Sequence, residues 1–229
     1  MKTFSKLIVL AVLLASMAAC GKKDKEEIRP DAPVTAESLL DHYVTIVISG
    51  SPSLRIIYFN KVGNEVKGTL DIVTSRRVQT INVVNDSFSF DTDGDGKKVY
   101  NFKLSRDGSG KLFLSSYTYV NTDEPAIVLS YAQIDNVSDV QDFKGKSFVA
   151  SDHADYTMNF LESTWEVKDA RQNDDGYAPY YVISPGAWKG KRNNGPDYMG
   201  VSVPKWKGDQ PVMLVQHNGD NQLEIYKVK

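Results

Sequence analysis

A single cysteine in 229 residues leaves no partner for an internal disulfide and no set of thiolates for a structural zinc site. Histidine is nearly as scarce. His42, His153 and His217 stand far apart, with none of the short spacings that put two imidazoles on one metal. Charge of one sign is not in excess either: 27 Lys and Arg face 29 Asp and Glu, a formal net charge of −2, which argues against the basic stripe of a general nucleic-acid binder. The chain has no Gly-x-Ser-x-Gly elbow and no phosphate loop, and no motif for a cofactor. Its N-terminal uncharged run, residues 7–19, is shorter than the roughly 20 apolar residues that a membrane-crossing helix needs. Low hydrophobicity is absent too: 41% hydrophobic against 24% charged residues excludes disorder by composition.

The first thirty residues carry an address. Lys2 and Lys6 precede the uncharged run, which ends on Met17-Ala18-Ala19-Cys20-Gly21, as a secretory signal does. This stretch resembles the lipobox of bacterial lipoproteins, with Met17 where the family usually has Leu. The resemblance implies a signal peptide over residues 1–19, cleavage before Cys20 and lipidation of Cys20, so that acyl chains hold the protein to a membrane. Residues 20–34 then form a charged tether stiffened by Pro30 and Pro33. Within it, Lys25-Glu26-Glu27 is similar to the export signal of Bacteroidota lipoproteins displayed outside the cell. The implied location is the outer membrane, at the cell surface.

The body reads as strands. After a short helical stretch at residues 36–42, with Thr35 as N-cap, period-2 patterns take over. Val66, Gly68, Leu70 and Ile72 alternate with Glu65, Lys67, Thr69 and Asp71. Phe88 and Phe90, then Tyr100, Phe102 and Leu104, then Tyr156, Met158 and Phe160 alternate with polar residues, and Leu223 and Ile225 close the chain. Each pattern puts one face on a core and one in water. Turn signals such as Gly63-Asn64, Asp107-Gly108 and Asn218-Gly219 separate them. About 13 to 15 short strands follow, and the fold class is all-β: an antiparallel meander barrel or sandwich. Residues 54–59 and 156–161 are similar strands about a hundred positions apart. This suggests two tandem units, 35–134 and 143–229, joined by a polar linker at 135–142; one continuous barrel or sandwich is the alternative. Residues 142–148, Asp-Phe-Lys-Gly-Lys-Ser-Phe, resemble the opening of lipocalin-like (calycin) domains, with Gly145 in place and Phe148 standing for the Trp one position late. That resemblance implies a closed or half-closed meander around an interior cavity.

Several constellations could carry chemistry. Asp91, Asp93 and Asp95, with Gly96, resemble the front of a calcium loop. The twelfth position of an EF-hand would be Phe102, so a tight acidic turn is the plainer expectation and an incidental Ca2+ site the sharper one. Residues 151–155 hold acid/base side chains around His153, but neighbours on an extended chain point to opposite faces, and a polar loop is expected. Glu162 and Glu166 could serve a hydrolase only if folding brings carboxylates together, and Met158, Met199 and Met213 could serve haem without any motif to support it. Residues 177–206 are the most distinctive: Tyr180, Tyr198, Trp188 and Trp206 interleave with Lys189 and Arg192 among four prolines. Such rings stack on sugar faces and such cations meet acidic groups; equally, the rings could be core and the lysines edge guards. The expected function is a non-catalytic binding or interaction lipoprotein for a glycan, a small apolar ligand or an outer-membrane partner. A hydrolase with converging carboxylates and a purely structural or inhibitory module are the alternatives.

Overall fold

The computed structural model describes residues 32–49, 53–140, 142–152, 154–169, 177–193, 195–207, 210–218 and 223–229. The helix expected at 36–42 is one 3-10 turn, Ala36–Leu39, and His42 already opens a strand. The Thr35 amide donates to Ser38 Oγ at 3.2 Å and the Ser38 amide to Thr35 O at 3.1 Å, so the turn satisfies its own start and then stops. Eight strands follow: β1 (His42–Ile48), β2 (Ser53–Val62), β3 (Glu65–Ile72), β4 (Ser75–Thr80), β5 (Ser87–Asp91), β6 (Lys98–Arg106), β7 (Leu112–Asn121) and β8 (Leu129–Asn136). A 3-10 turn, Val137–Asp139, leads to eight more: β9 (Ser147–Ala150), β10 (Tyr156–Phe160), β11 (Thr164–Asp169), β12 (Ala178–Ser184), β13 (Ala187–Lys191), β14 (Asp197–Val203), β15 (Val212–His217) and β16 (Glu224–Val228). The protein is all-β and antiparallel throughout.

The second eight strands form a closed up-and-down barrel, in which β16 returns to β9 through Tyr226↔Ala150, Lys227↔Val149 and Val228↔Phe148. The first eight repeat the order, β1 pairing with both β2 and β8, but the ladder is interrupted twice. A five-stranded sheet (β4-β3-β2-β1-β8) and a three-stranded sheet (β5-β6-β7) result. The similar segments 54–59 and 156–161 fall on β2 and β10, the second strand of each meander. Asp135 and Asn136, expected in a linker, extend β8 and pair with Tyr43 and His42.

Alternation explains three separate cores. Inside the first meander, Val44, Ile46, Ile57 and Phe59 of the larger sheet meet Phe88, Phe90, Tyr100 and Phe102 of the smaller one. Inside the closed barrel lie Phe143, Phe148, Met158, Phe160, Trp165, Tyr180, Trp188, Tyr198, Met213 and Tyr226. Trp188 sits directly across the β13–β14 ladder from Gly200, and a Cβ on Gly200 would collide with its indole; Trp165 covers Gly190 in the same way. Large rings seated on glycines fill the barrel with side chains, where the calycin resemblance implied a cavity.

The third core joins the two meanders. Tyr43 and Val47 of β1 with Leu54 and Ile56 of β2 face Ala187, Met199, Val201, Val203, Val212 and Leu214 of the barrel's outer wall. Strands β1, β14 and β15 are therefore buried on both faces and read as near-continuous apolar runs. Polar bonds fix the docking: Tyr43 OH donates to Ser202 O at 2.6 Å and the Leu54 amide to Gln216 Oε1 at 2.6 Å.

Candidate functional site

The β3–β4 turn of the first meander overhangs strands β12, β13 and β14 of the barrel. Between them lies a groove of about 530 Å³, lined by Thr74, Tyr181, Lys189, Lys191, Asp197 and the edges of Tyr180 and Tyr198. The pleat decides which of the two adjacent tyrosines is offered to solvent. Tyr180 turns into the barrel, where its hydroxyl donates to Leu161 O (2.9 Å) and Glu162 O (3.1 Å). Tyr181 points out, 58% exposed, opposite Lys189 in the β12–β13 register. Lys191 and Asp197 form the next cross-strand pair along β13–β14, which sets opposite charges on neighbouring strands of the groove floor.

Lys189 is the pivot of this site. Its Nζ donates to Asp71 Oδ1 at 2.6 Å and to Ile72 O at 2.7 Å, and Asp71, fully buried, also holds Arg76 Nε at 3.2 Å. Asp71 was expected to face water along β3; its face of the strand is covered by the barrel, so the carboxylate is buried and paired instead. The Asp71 carboxylate clamps Arg76, and its hydrogen bond raises the Arg76 pKa above its ordinary value.

The residues singled out from sequence thus divide. Tyr180, Tyr198 and Lys189 meet at the groove. Trp188 is wholly buried in the barrel, its indole donating to Met213 Sδ at 3.4 Å, and presents no ring to a surface. Trp206 packs on Tyr131, ring centroids 4.4 Å apart, with Lys207 over its face, away from the groove. Arg192 follows β13 in the turn to β14, its amide donating to Pro196 O at 3.3 Å. Tyr181 and Lys191 fall in the same aromatic and basic stretch, 177–206, without being singled out within it, and Asp197 was missed, although the parity of Tyr180 and Tyr181 along one strand was a usable signal for the first.

The acidic turn spends its carboxylates locally. Asp91 accepts from the amides of Asp93 (3.2 Å), Gly94 (2.9 Å) and Gly96 (2.8 Å). Desolvation pushes its pKa up, but the three amides together outweigh it and leave the group below the usual carboxylate range. Asp93 pairs with Lys98 at 3.3 Å and Asp95 with Lys97 at 3.8 Å. Among the described residues no three His, Cys, Asp or Glu side chains converge as a metal site, and Asp91, Asp93 and Asp95 form a self-capped acidic turn.

Glu162 is exposed beside Lys144 (3.6 Å), whereas Glu166 is buried and held by Asn159 (2.8 Å) and Lys168 (3.0 Å), so the two do not face one another across a cleft. Met158 and Met213 belong to the barrel core and Met199 to the core between the meanders. Burial holds the His42 imidazole below its ordinary pKa, against the pull of Asp41. Cys20 and His153 lie outside the described residues. No known family matches the chain, and no curated protein or solved structure matches it either.

Proposed function

We propose that this chain is an exported, lipid-anchored binding protein that captures a glycan in the Tyr181 groove without transforming it. The observation that carries this reading is Tyr181 itself: an exposed ring on a rigid strand, beside Lys189, Lys191, Asp197 and Thr74. A flat aromatic face takes the apolar side of a sugar ring, and the flanking charges and hydroxyl satisfy its hydroxyl groups. The barrel's filled interior favours a surface site over a carrier's interior one. Among the described residues that line the groove Asp197 is the only carboxylate, which gives no pair of acids for hydrolysis among them. The lipobox at Cys20 and the charged tether supply the membrane attachment and the reach.

The test is native mass spectrometry of the full chain, released from detergent, against pooled oligosaccharides, for the wild type and Tyr181→Ala. An oligosaccharide adduct at least tenfold weaker in Tyr181→Ala supports the reading. Adducts indifferent to the substitution, or none with any sugar, overturn the glycan site. Shortened oligosaccharides after incubation overturn the non-catalytic part.

A further inference from the structure

The charges around the Tyr181 groove do not cancel. Two cations share the Asp71 carboxylate: Lys189, with its Nζ at 2.6 Å, and Arg76, whose Nε and Nη2 both lie 3.2 Å from it. Arg76 is the cross-strand neighbour of Asp71 on β4, and its side chain is half exposed. On the barrel side, Lys191 and Asp197 add one charge of each sign. Three cations thus stand against two carboxylates, which leaves a surplus positive charge here in a chain whose formal net charge is −2.

Of the two lysines that line the groove, one is spent and one is not. Lys189 is buried and gives its Nζ to Asp71 and to Ile72 O. Lys191 is exposed, and among the described residues no carboxylate holds it in an ion pair, its cross-strand neighbour Asp197 included. Its place relative to the exposed ring follows from the ladder. Tyr181 stands opposite Lys189 across β12–β13, and Lys189 and Lys191 share one face of β13, so Lys191 is the diagonal neighbour of Tyr181. Diagonal neighbours lie roughly 7–8 Å apart, close enough for long side chains to meet. A lysine so placed reaches a substituent on a ring stacked over the phenol. Asp197, on the far side of Lys191, is an acceptor for hydroxyl groups on the same ligand.

We infer that the sugar taken by this groove is acidic: its ring lies on Tyr181, its one carboxylate or sulfate group meets Lys191, and its hydroxyl groups donate to Asp197. A neutral sugar would leave the accessible lysine and the surplus charge unanswered. Resting on the reading of the groove as a glycan site, this assignment adds the charge of the ligand and the residue that selects it.

Isothermal titration calorimetry of the full chain in detergent tests this with disaccharides that differ in one substituent: an aldobiouronic acid, its carboxyl-reduced neutral counterpart, and that counterpart carrying a 6-sulfate. Wild type should bind at least one of the two acids about threefold more tightly than the neutral sugar, the gain expected of one exposed charge pair, and high salt should erase the difference. Which acid gains identifies the group as carboxylate or sulfate. Lys191→Met should lose the preference and keep the neutral binding, and Lys191→Arg should keep both. Lys191 is exposed, so both variants should fold normally. A neutral sugar bound as tightly as either acid, or a preference that survives Lys191→Met, overturns the inference while the glycan site stands. No sugar bound at all, or binding indifferent to Tyr181→Ala, overturns both.

Discussion

Lys189 Nζ lies 2.6 Å from Asp71 Oδ1 across 118 positions of sequence, and the pair fastens the barrel to the first meander. Both side chains are buried, so their Coulomb attraction mainly repays desolvation; loss of Asp71 strands Lys189, and loss of Lys189 leaves the buried Asp71 carboxylate only the half-exposed Arg76 as counter-ion. Lys189→Met should therefore cost about 3–5 kcal/mol by denaturant unfolding. Adding Asp71→Leu to that variant should recover most of it, because neither charge is then left alone. A double variant no more stable than Lys189→Met would show that the pair does not act as a unit.

How much of this was legible depends on what covers each strand. Phe88 and Phe90, Tyr100 to Leu104, and Met158 and Phe160 alternate with residues that do face water or a strand edge, so their strands were plain from sequence. Asp71 obeys the same alternation yet is buried, because what covers it is another meander contributed 118 residues later. Strands β1, β14 and β15 carry no alternation, since apolar surface meets both faces. Trp188 and Tyr181 look equally ready to bind a ligand in sequence; only the pleat, closed into a barrel, sends one inside and the other out.

Trp188 should accordingly behave as core. Trp188→Ala removes a buried indole facing Gly200 and should destabilise the protein by about 3–5 kcal/mol, while leaving capture at the groove to whatever fraction stays folded. Gly200→Ala attacks the same contact from the other side: its new methyl group meets the indole, at a cost of about 1–3 kcal/mol. Thermal unfolding of the two variants checks this. A Gly200→Ala protein as stable as wild type would mean the indole is not seated there.

Gln79 closes one of the two interrupted seams with its side chain. Its Nε2 donates to Ser89 O at 2.8 Å and its Oε1 accepts from the Asp91 amide at 2.9 Å, so a carboxamide replaces a rung of backbone ladder between β4 and β5. Gln79→Ala should cost about 1–2 kcal/mol and, more specifically, speed hydrogen exchange at the Asp91 amide. Unchanged protection of that amide would show that the bridge is not kept in solution.

Asp135 gives the fold a pH dependence of definite sign. Burial raises its pKa from the ordinary value to about 6, opposed by the hydrogen bond from Gln133 and by Lys111 and reinforced by Asp139. Tyr43 and Tyr131, the other titratable groups facing it, are pushed upward by burial first and by Asp135 second, and stay neutral. The folded state therefore prefers the protonated acid. Its contribution is fully present below the unfolded pKa near 3.8 and is lost as pH rises through about 6, a loss on the order of 2–3 kcal/mol. Asp135→Asn keeps the shape and cannot ionise, so it should gain on wild type by that amount at pH 8 and show little gain at pH 4. Denaturant unfolding at the two pH values measures the difference. A gain that is equal at both would remove ionisation as its cause.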